Sequence, residues 1–173
     1  GGGSGVGTAA LQIVKFLGGR GLAVVGDPGK AMRCWELGAE HVIVRTTEDV
    51  ERKVRDLTGK RGVDIVFEHT GAATWPTSMA VVARGGRIVT CGTTVGHETP
   101  LNLRMLFAKQ LQLLGSYMGR REHLWTLLGH LQRNPSNPPF FPVIDRTFDL
   151  SDYPEAQRHL EAGKGFGKVV CRV

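Results

Sequence analysis

Behind an opening run of glycines, apolar residues return at helical spacing, at Val6, Ala10, Ile13, Val14 and Leu17, and the pattern stops at Gly18-Gly19. A loop that opens a helix, closed by glycine, is the expectation. Leu22 to Gly26 is then a short apolar strand, and Asp27-Pro28 offers an N-cap and a first-turn proline for a helix ending at Gly38. His41 to Val44 reads as the next strand. Thr46 or Thr47 starts a helix with Val50, Val54 and Leu57 on one face, and Gly59 stops it. Val63 to Glu68 and Arg87 to Cys91 are two further strands, separated by a helix over about 76–83 and a Gly85-Gly86 turn. Leu111 to Tyr117 repeats the strand pattern after a helix holding Leu103, Leu106 and Phe107, and Leu124, Leu127, Leu128 and Leu131 mark one more amphipathic helix.

Short strands that are apolar throughout and alternate with helices require a parallel sheet covered on both faces. The fold class is therefore α/β, a doubly wound Rossmann-type parallel sheet with helices on both faces. The proline-rich stretch 134–141 reads as a linker between a domain over 1–133 and a segment over 142–173. That segment carries a strand over Val143 to Leu150, a helix over about 153–162 and a strand over Lys168 to Val173. It is too short to bury a core by itself, so a partner domain is expected to receive it.

Composition narrows the classes of function. The chain has 173 residues, 41% hydrophobic and 22% charged, with no apolar run near the roughly 18 residues of a membrane span. The first residues lack the basic and apolar regions of a secretory signal. Cys34, Cys91 and Cys171 are odd in number and set among apolar neighbours, which suits reduced packing thiols in a cytoplasmic protein. The six histidines show no metal-ligand spacing, so no metal site is expected within the chain. The net charge of +6 admits a nucleic-acid partner, but the cations are scattered. The densest group, Arg52, Lys53, Arg55, Lys60 and Arg61, is interrupted by Asp49, Glu51 and Asp56, as on a solvated helix face. An anionic cofactor uses such a balance equally well.

The chemistry begins at Gly2-Gly3-Ser4-Gly5-Val6-Gly7, a variant of G-x-G-x-x-G with Ser4 at the middle glycine. Small residues there let backbone N–H groups approach a pyrophosphate at a helix N-terminus. A triphosphate-binding loop fits worse, because Thr8 follows Gly7 directly and the required lysine is missing. Asp27 follows Gly7 by about 20 residues, where an acidic side chain reaches an adenosine ribose; helix N-cap is its other reading. A carboxylate there repels the extra phosphate of NADP, while Lys30 and Arg45 offset that repulsion. The balance leans to NAD.

Five segments in order then carry a resemblance. They are Gly3-Ser4-Gly5-Val6-Gly7, Lys30 followed by Gly38-Ala39-Glu40-His41-Val42-Ile43, Gly62-Val63-Asp64-Ile65-Val66-Phe67, Gly85-Gly86-Arg87-Ile88-Val89, and the terminal Gly167-Lys168-Val169-Val170. Together they resemble the cofactor portion of medium-chain dehydrogenases and reductases, and Leu114-Gly115-Ser116-Tyr117-Met118-Gly119 looks most like zinc-type alcohol dehydrogenases and quinone reductases. The resemblance implies NAD(P) as cofactor and hydride transfer with an alcohol, aldehyde or enone. It implies that Ser4, Gly5 and Val6 line the pyrophosphate and that Asp27 and Lys30 flank the ribose. His69, Thr70, Gly71, Cys91, Gly92 and Thr93 would stand at carboxyl ends of strands, Met118 and Gly119 near the nicotinamide, and Lys168 at the cofactor as well. Zinc and the proton relay would belong to an N-terminal catalytic domain, expected to be missing together with the first central strand, so no catalytic residue is assigned.

The resemblance further implies a homodimer or tetramer paired through the edge near 111–117. A non-catalytic dinucleotide-sensing domain stays open as an alternative. A methyltransferase has no use for the terminal Gly167-Lys168-Val169-Val170, and a short-chain dehydrogenase needs a Tyr-x-x-x-Lys that neither Tyr117 nor Tyr153 begins.

Overall fold

The computed structural model describes residues 1–173. Along the chain run α1 (Gly5–Phe16), β1 (Gly21–Val25), α2 (Ala31–Glu36), β2 (Ala39–Val44), α3 (Val50–Leu57), β3 (Val63–Glu68), α4 (Trp75–Val81) and β4 (Val82–Thr90). After them come α5 (Leu103–Ala108), β5 (Gln112–Gly115), α6 (Arg121–Arg133), β6 (Ile144–Asp149), α7 (Tyr153–Glu161) and β7 (Lys168–Arg172). Every strand pairing is parallel, as the alternation of strands and helices requires. The hydrogen-bonded strands form three ladders, β1-β2, β3-β4-β5 and β6-β7, rather than one continuous sheet. No helix is long and apolar enough to cross a membrane.

Two compact units divide the chain. The first comprises Gly1–Thr46 with Arg121–Val173, the second Thr47–Arg120. In the first unit Leu11, Ala23, Val25, Cys34, Leu37 and Ala39 form the core, and Val143 and Phe166 from the terminal segment complete it. Along β1 the residues Gly21, Ala23 and Val25 are buried while Leu22 and Val24 are only half-buried, so this strand alternates where full burial was expected. In the second unit Met79, Val82 and Ile88 are buried, with Val66, Trp75, Met105, Leu111 and Leu113 packed on them. Ile65 and Phe67 stay 53% and 43% exposed, because β3 is an edge of its ladder.

Several local readings need correction. The buried face of α1 is Gly7, Thr8, Leu11 and Gln12, whereas Val6, Ile13 and Leu17 are exposed. The expected helix from Pro28 to Gly38 is a 3-10 turn over Pro28–Lys30 that leads into α2. Neither Thr46 nor Thr47 caps α3: Asp49 does, its Oδ1 accepting the Arg52 N–H at 3.0 Å. The strand expected from Leu111 to Tyr117 is only Gln112–Gly115. Gly18 closes α1 as expected, at φ +72°, with the Gly19 N–H reaching back to the Val14 carbonyl at 2.8 Å.

Candidate functional site

In the first unit the glycine loop is built by its own backbone. Gly2 donates its N–H to the Val24 carbonyl at 2.8 Å, which ties the loop to β1. Ser4 is the N-cap of α1: its Oγ accepts the Gly7 N–H at 2.9 Å, and its carbonyl accepts the Thr8 N–H at 2.8 Å. The remaining first-turn N–H groups, those of Gly5 and Val6, point out of the helix end, where the dipole is positive. Gly7 is required by the backbone around it, while Gly3 and Gly5 are closely covered by side chains. A Cβ on Gly7 would overlap the Gly1 carbonyl oxygen, one on Gly3 would stand 3.0 Å from the Phe166 ring, and one on Gly5 would overlap Lys168 Cδ.

The terminal segment closes over this loop. Gly167 donates to the Gly3 carbonyl at 2.8 Å, and Ser4 and Gly167 form a parallel bridge. Lys168, at the start of β7, is thereby laid across the mouth of α1, and it is exposed. Lys30 runs past Gly3 on the other side, its Cδ 3.1 Å from where a Cβ would be, and its ammonium donates to the Gly163 carbonyl at 2.9 Å. Asp27 serves as an N-cap, Oδ1 accepting the Gly29 N–H at 2.8 Å. Beside it lies the Arg45 guanidinium, with Nη2 3.1 Å from a Cβ placed on Gly26. Small residues, outward N–H groups and flanking cations at a helix mouth are what a phosphate diester recognises.

In the second unit the structure brings together the two strand ends expected to act jointly. The loop after β3 holds His69, Thr70 and Gly71; the loop after β4 holds Cys91, Gly92 and Thr93. Val95 donates to the Thr70 carbonyl at 2.7 Å, Ala72 to the Gly96 carbonyl at 2.9 Å, and Thr94 Oγ1 to the His69 carbonyl at 3.2 Å. Gly71 adopts φ +103°, and a Cβ there would overlap the Gly96 carbonyl. Cys91 is exposed, not a packing residue, while Cys34 is buried and Cys171 intermediate: Cys91 stands one residue past the end of β4, where the strand stops shielding it. Met118, at φ +54°, and Gly119 are exposed beyond the end of β5.

The sequence reading passed over Glu68, the most enclosed carboxylate of this unit. It is 4% exposed. Its Oε1 accepts the N–H groups of Thr70 at 2.7 Å and Gly71 at 3.2 Å, Thr74 Oγ1 bridges both oxygens at 2.9 Å, and Ser78 Oγ donates to Oε2 at 2.5 Å. Burial pushes this carboxyl up, but the hydrogen bonds from Ser78, Thr70, Gly71 and Thr74 outweigh burial and hold it below the ordinary glutamate value. Hydroxyls at 74 and 78, one helical turn apart and following an acidic strand end, were the signal available in the sequence. No three histidine, cysteine, aspartate or glutamate side chains are gathered in a way that could hold a metal ion.

Comparison with known proteins agrees with this architecture. The chain is 31% identical over 171 residues to a quinone oxidoreductase of Pseudomonas aeruginosa, an alignment that takes in 96% of the chain and 53% of that protein. Among solved structures it matches an NAD-dependent alcohol dehydrogenase at TM-score 0.90 and 37% identity, covering 99% of the chain and 49% of the other. A crotonyl-CoA carboxylase/reductase in complex with NADP matches at TM-score 0.86 and 27% identity, over 98% of the chain and 47% of the other. The chain thus spans about half the length of these relatives. The sequence profile of zinc-binding dehydrogenases matches residues 5–133, and with the parallel α/β fold and the glycine cradle in place, the chain belongs to that family of medium-chain dehydrogenases and reductases.

Proposed function

We propose that this chain is the nicotinamide-dinucleotide-binding portion of an oxidoreductase of the alcohol dehydrogenase or quinone reductase kind. The observation that carries the reading is the cradle of Gly3, Ser4, Gly5 and Gly7 at the mouth of α1, closed by Lys168 and Lys30. The bound dinucleotide would supply a hydride donor or acceptor at its nicotinamide, for exchange with an alcohol, aldehyde or enone. In the first unit Ser4, Gly5 and Val6 would hold the pyrophosphate through backbone N–H groups, with Lys168 neutralising charge. Asp27 would accept from a ribose hydroxyl through the oxygen not engaged by Gly29, and Lys30 would flank it.

In the second unit His69, Thr70, Gly71, Cys91, Gly92, Thr93, Met118 and Gly119 would face the nicotinamide half, since ligands of parallel sheets sit beyond the carboxyl ends of the strands. The Asp27 carboxylate favours NAD over NADP, against the pull of Arg45. None of these residues is assigned a proton-transfer role, and the residues over 142–173 would also meet a catalytic domain. The exposed edge formed by β5, with Leu114, Tyr117 and Met118, would pair copies in a dimer or tetramer, and the protein is placed in the cytoplasm.

Calorimetric titration of the chain with NADH and with NADPH tests the reading. Saturable binding, tighter for NADH, is expected. A chain shown to be folded that takes up neither would overturn it.

A further inference from the structure

We propose that Glu68 is a positioning residue, whose buried carboxylate presets the loop after β3 to receive the nicotinamide half of the dinucleotide. The inference rests on the dinucleotide reading above and names what organises the second unit's part of it.

The N–H groups of Thr70 and Gly71 both turn inward to Glu68 Oε1, and the Thr70 and His69 carbonyls are taken by Val95 and Thr94. With its main chain satisfied internally, the loop does not need ligand or water to hold its shape. The same carboxylate binds Thr74 and Ser78 at the start of α4, so the loop and the helix that follows it are set by one group. What the loop and its neighbour leave toward solvent are the half-buried Thr70 and the exposed Cys91 and Thr93, while Gly71 is buried. A short hydrogen bond from Ser78 and a carboxylate held ionised despite burial indicate a tightly seated anion. Such a centre is costly if a single donor is removed.

Glutamine in place of Glu68 offers one oxygen and one NH2 group to donors that now occupy both oxygens, so part of the network is lost. Thr74→Val removes one donor at nearly constant shape, and Thr74→Ser restores it. Two probes separate positioning from general damage: NADH, and ADP-ribose, which keeps the pyrophosphate and both riboses but lacks nicotinamide. For Glu68→Gln and Thr74→Val we expect NADH to bind about tenfold more weakly while ADP-ribose stays within about twofold. Thr74→Ser should bind both as the unmutated chain does.

Backbone amide exchange at Thr70 and Gly71, read by NMR without ligand, should quicken in Glu68→Gln and Thr74→Val. Equal weakening of both probes would reduce Glu68 to a fold-stabilising group and overturn the proposal, as would unchanged NADH affinity in folded variants. If the unmutated chain binds neither probe, the dinucleotide reading itself fails and this proposal fails with it. If it binds both equally well, only the nicotinamide contact, and hence the role of Glu68, is refuted.

Discussion

Gln12 and Phe141, 129 positions apart, are joined by a two-way hydrogen bond between one side chain and one stretch of backbone. The Phe141 N–H donates to Gln12 Oε1 at 2.9 Å, and Gln12 Nε2 donates to the Phe141 carbonyl at 3.0 Å. Gln12 is 4% exposed, and its Nε2 also reaches the Thr8 carbonyl at 3.1 Å. A buried amide used in this way reads backbone, not side chain, and fastens the extended stretch before β6 to α1. Phe166 and Val143 then enter the core beneath the glycine loop.

Replacing Gln12 by leucine keeps the volume but removes both hydrogen bonds to the Phe141 backbone. A loss of about 1–2 kcal/mol in unfolding free energy is expected, the usual net worth of two hydrogen bonds to a half-exposed backbone. Urea unfolding should show the midpoint falling at nearly constant slope. A variant as stable as the parent would mean that the two segments are held by apolar packing alone.

Lys109 does comparable work in the second unit. Its ammonium donates to the carbonyls of Met79, Ala80 and Val82 at 3.0, 2.9 and 2.9 Å, closing the end of α4. Those carbonyls have no intrahelical partners, so a cation at this end also meets the negative pole of the helix. Lys109→Met retains the stem and deletes the cap; a loss of about 1.5–3 kcal/mol is expected, in the range for hydrogen bonds to a charged group. Hydrogen exchange should show the last turn of α4 opening first.

The acid side of the stability curve is expected to depend on Asp145. Burial raises its carboxyl, but the bond to His159 at 2.7 Å, the Phe166 N–H at 2.8 Å, and the charges of His159 and Arg33 outweigh burial and hold it below the ordinary aspartate value. A carboxyl that is more acidic folded than unfolded adds stability that is complete above the unfolded value. That stability is lost as pH falls through the folded one. Between about pH 5 and pH 3 the parent should therefore lose stability more steeply than Asp145→Asn. Parallel curves for the two proteins would show that the pair with His159 contributes nothing to acid sensitivity.

How much of this was legible in the sequence depends on what each residue advertises. Pro28, Gly18, Gly38 and the β-branched runs fix element type locally, so helices and strands fell near their places. Periodicity alone put Val6, Ile13 and Leu17 on the buried face of α1, whereas the core takes Thr8 and Gln12, whose polar atoms are satisfied at Gly5 and Phe141. No apolar pattern announces a buried glutamine whose partner lies across the chain. The glycine cradle was readable because glycine spacing is itself the geometric requirement. Glu68 was not, because its role depends on hydroxyls brought round by α4. Arg45, known only as a nearby charge, acquires its place against Gly26 from the parallel register of β1 and β2.

Lys168 is the one cation that reaches the cradle from the far end of the chain, and its contribution can be separated from that of the loop. Its stem lies over Gly5, and its position is set by the backbone bond from Gly167 to Gly3 and by its own N–H donating to the Val143 carbonyl at 2.9 Å. Lys168→Met therefore keeps the cover over Gly5 and removes only the charge. If that charge serves a pyrophosphate, NADH, NADPH and ADP-ribose should all bind about three- to tenfold more weakly, because all three share the diphosphate. The residue is exposed, so the difference between variant and parent should shrink as salt rises and the Debye length falls from about 10 Å at 0.1 M toward about 3 Å at 1 M. Since no core contact is lost, the unfolding midpoint should barely move. Affinities unchanged at low salt would remove Lys168 from the phosphate site and leave the N–H groups of Gly5 and Val6 to hold the anion alone.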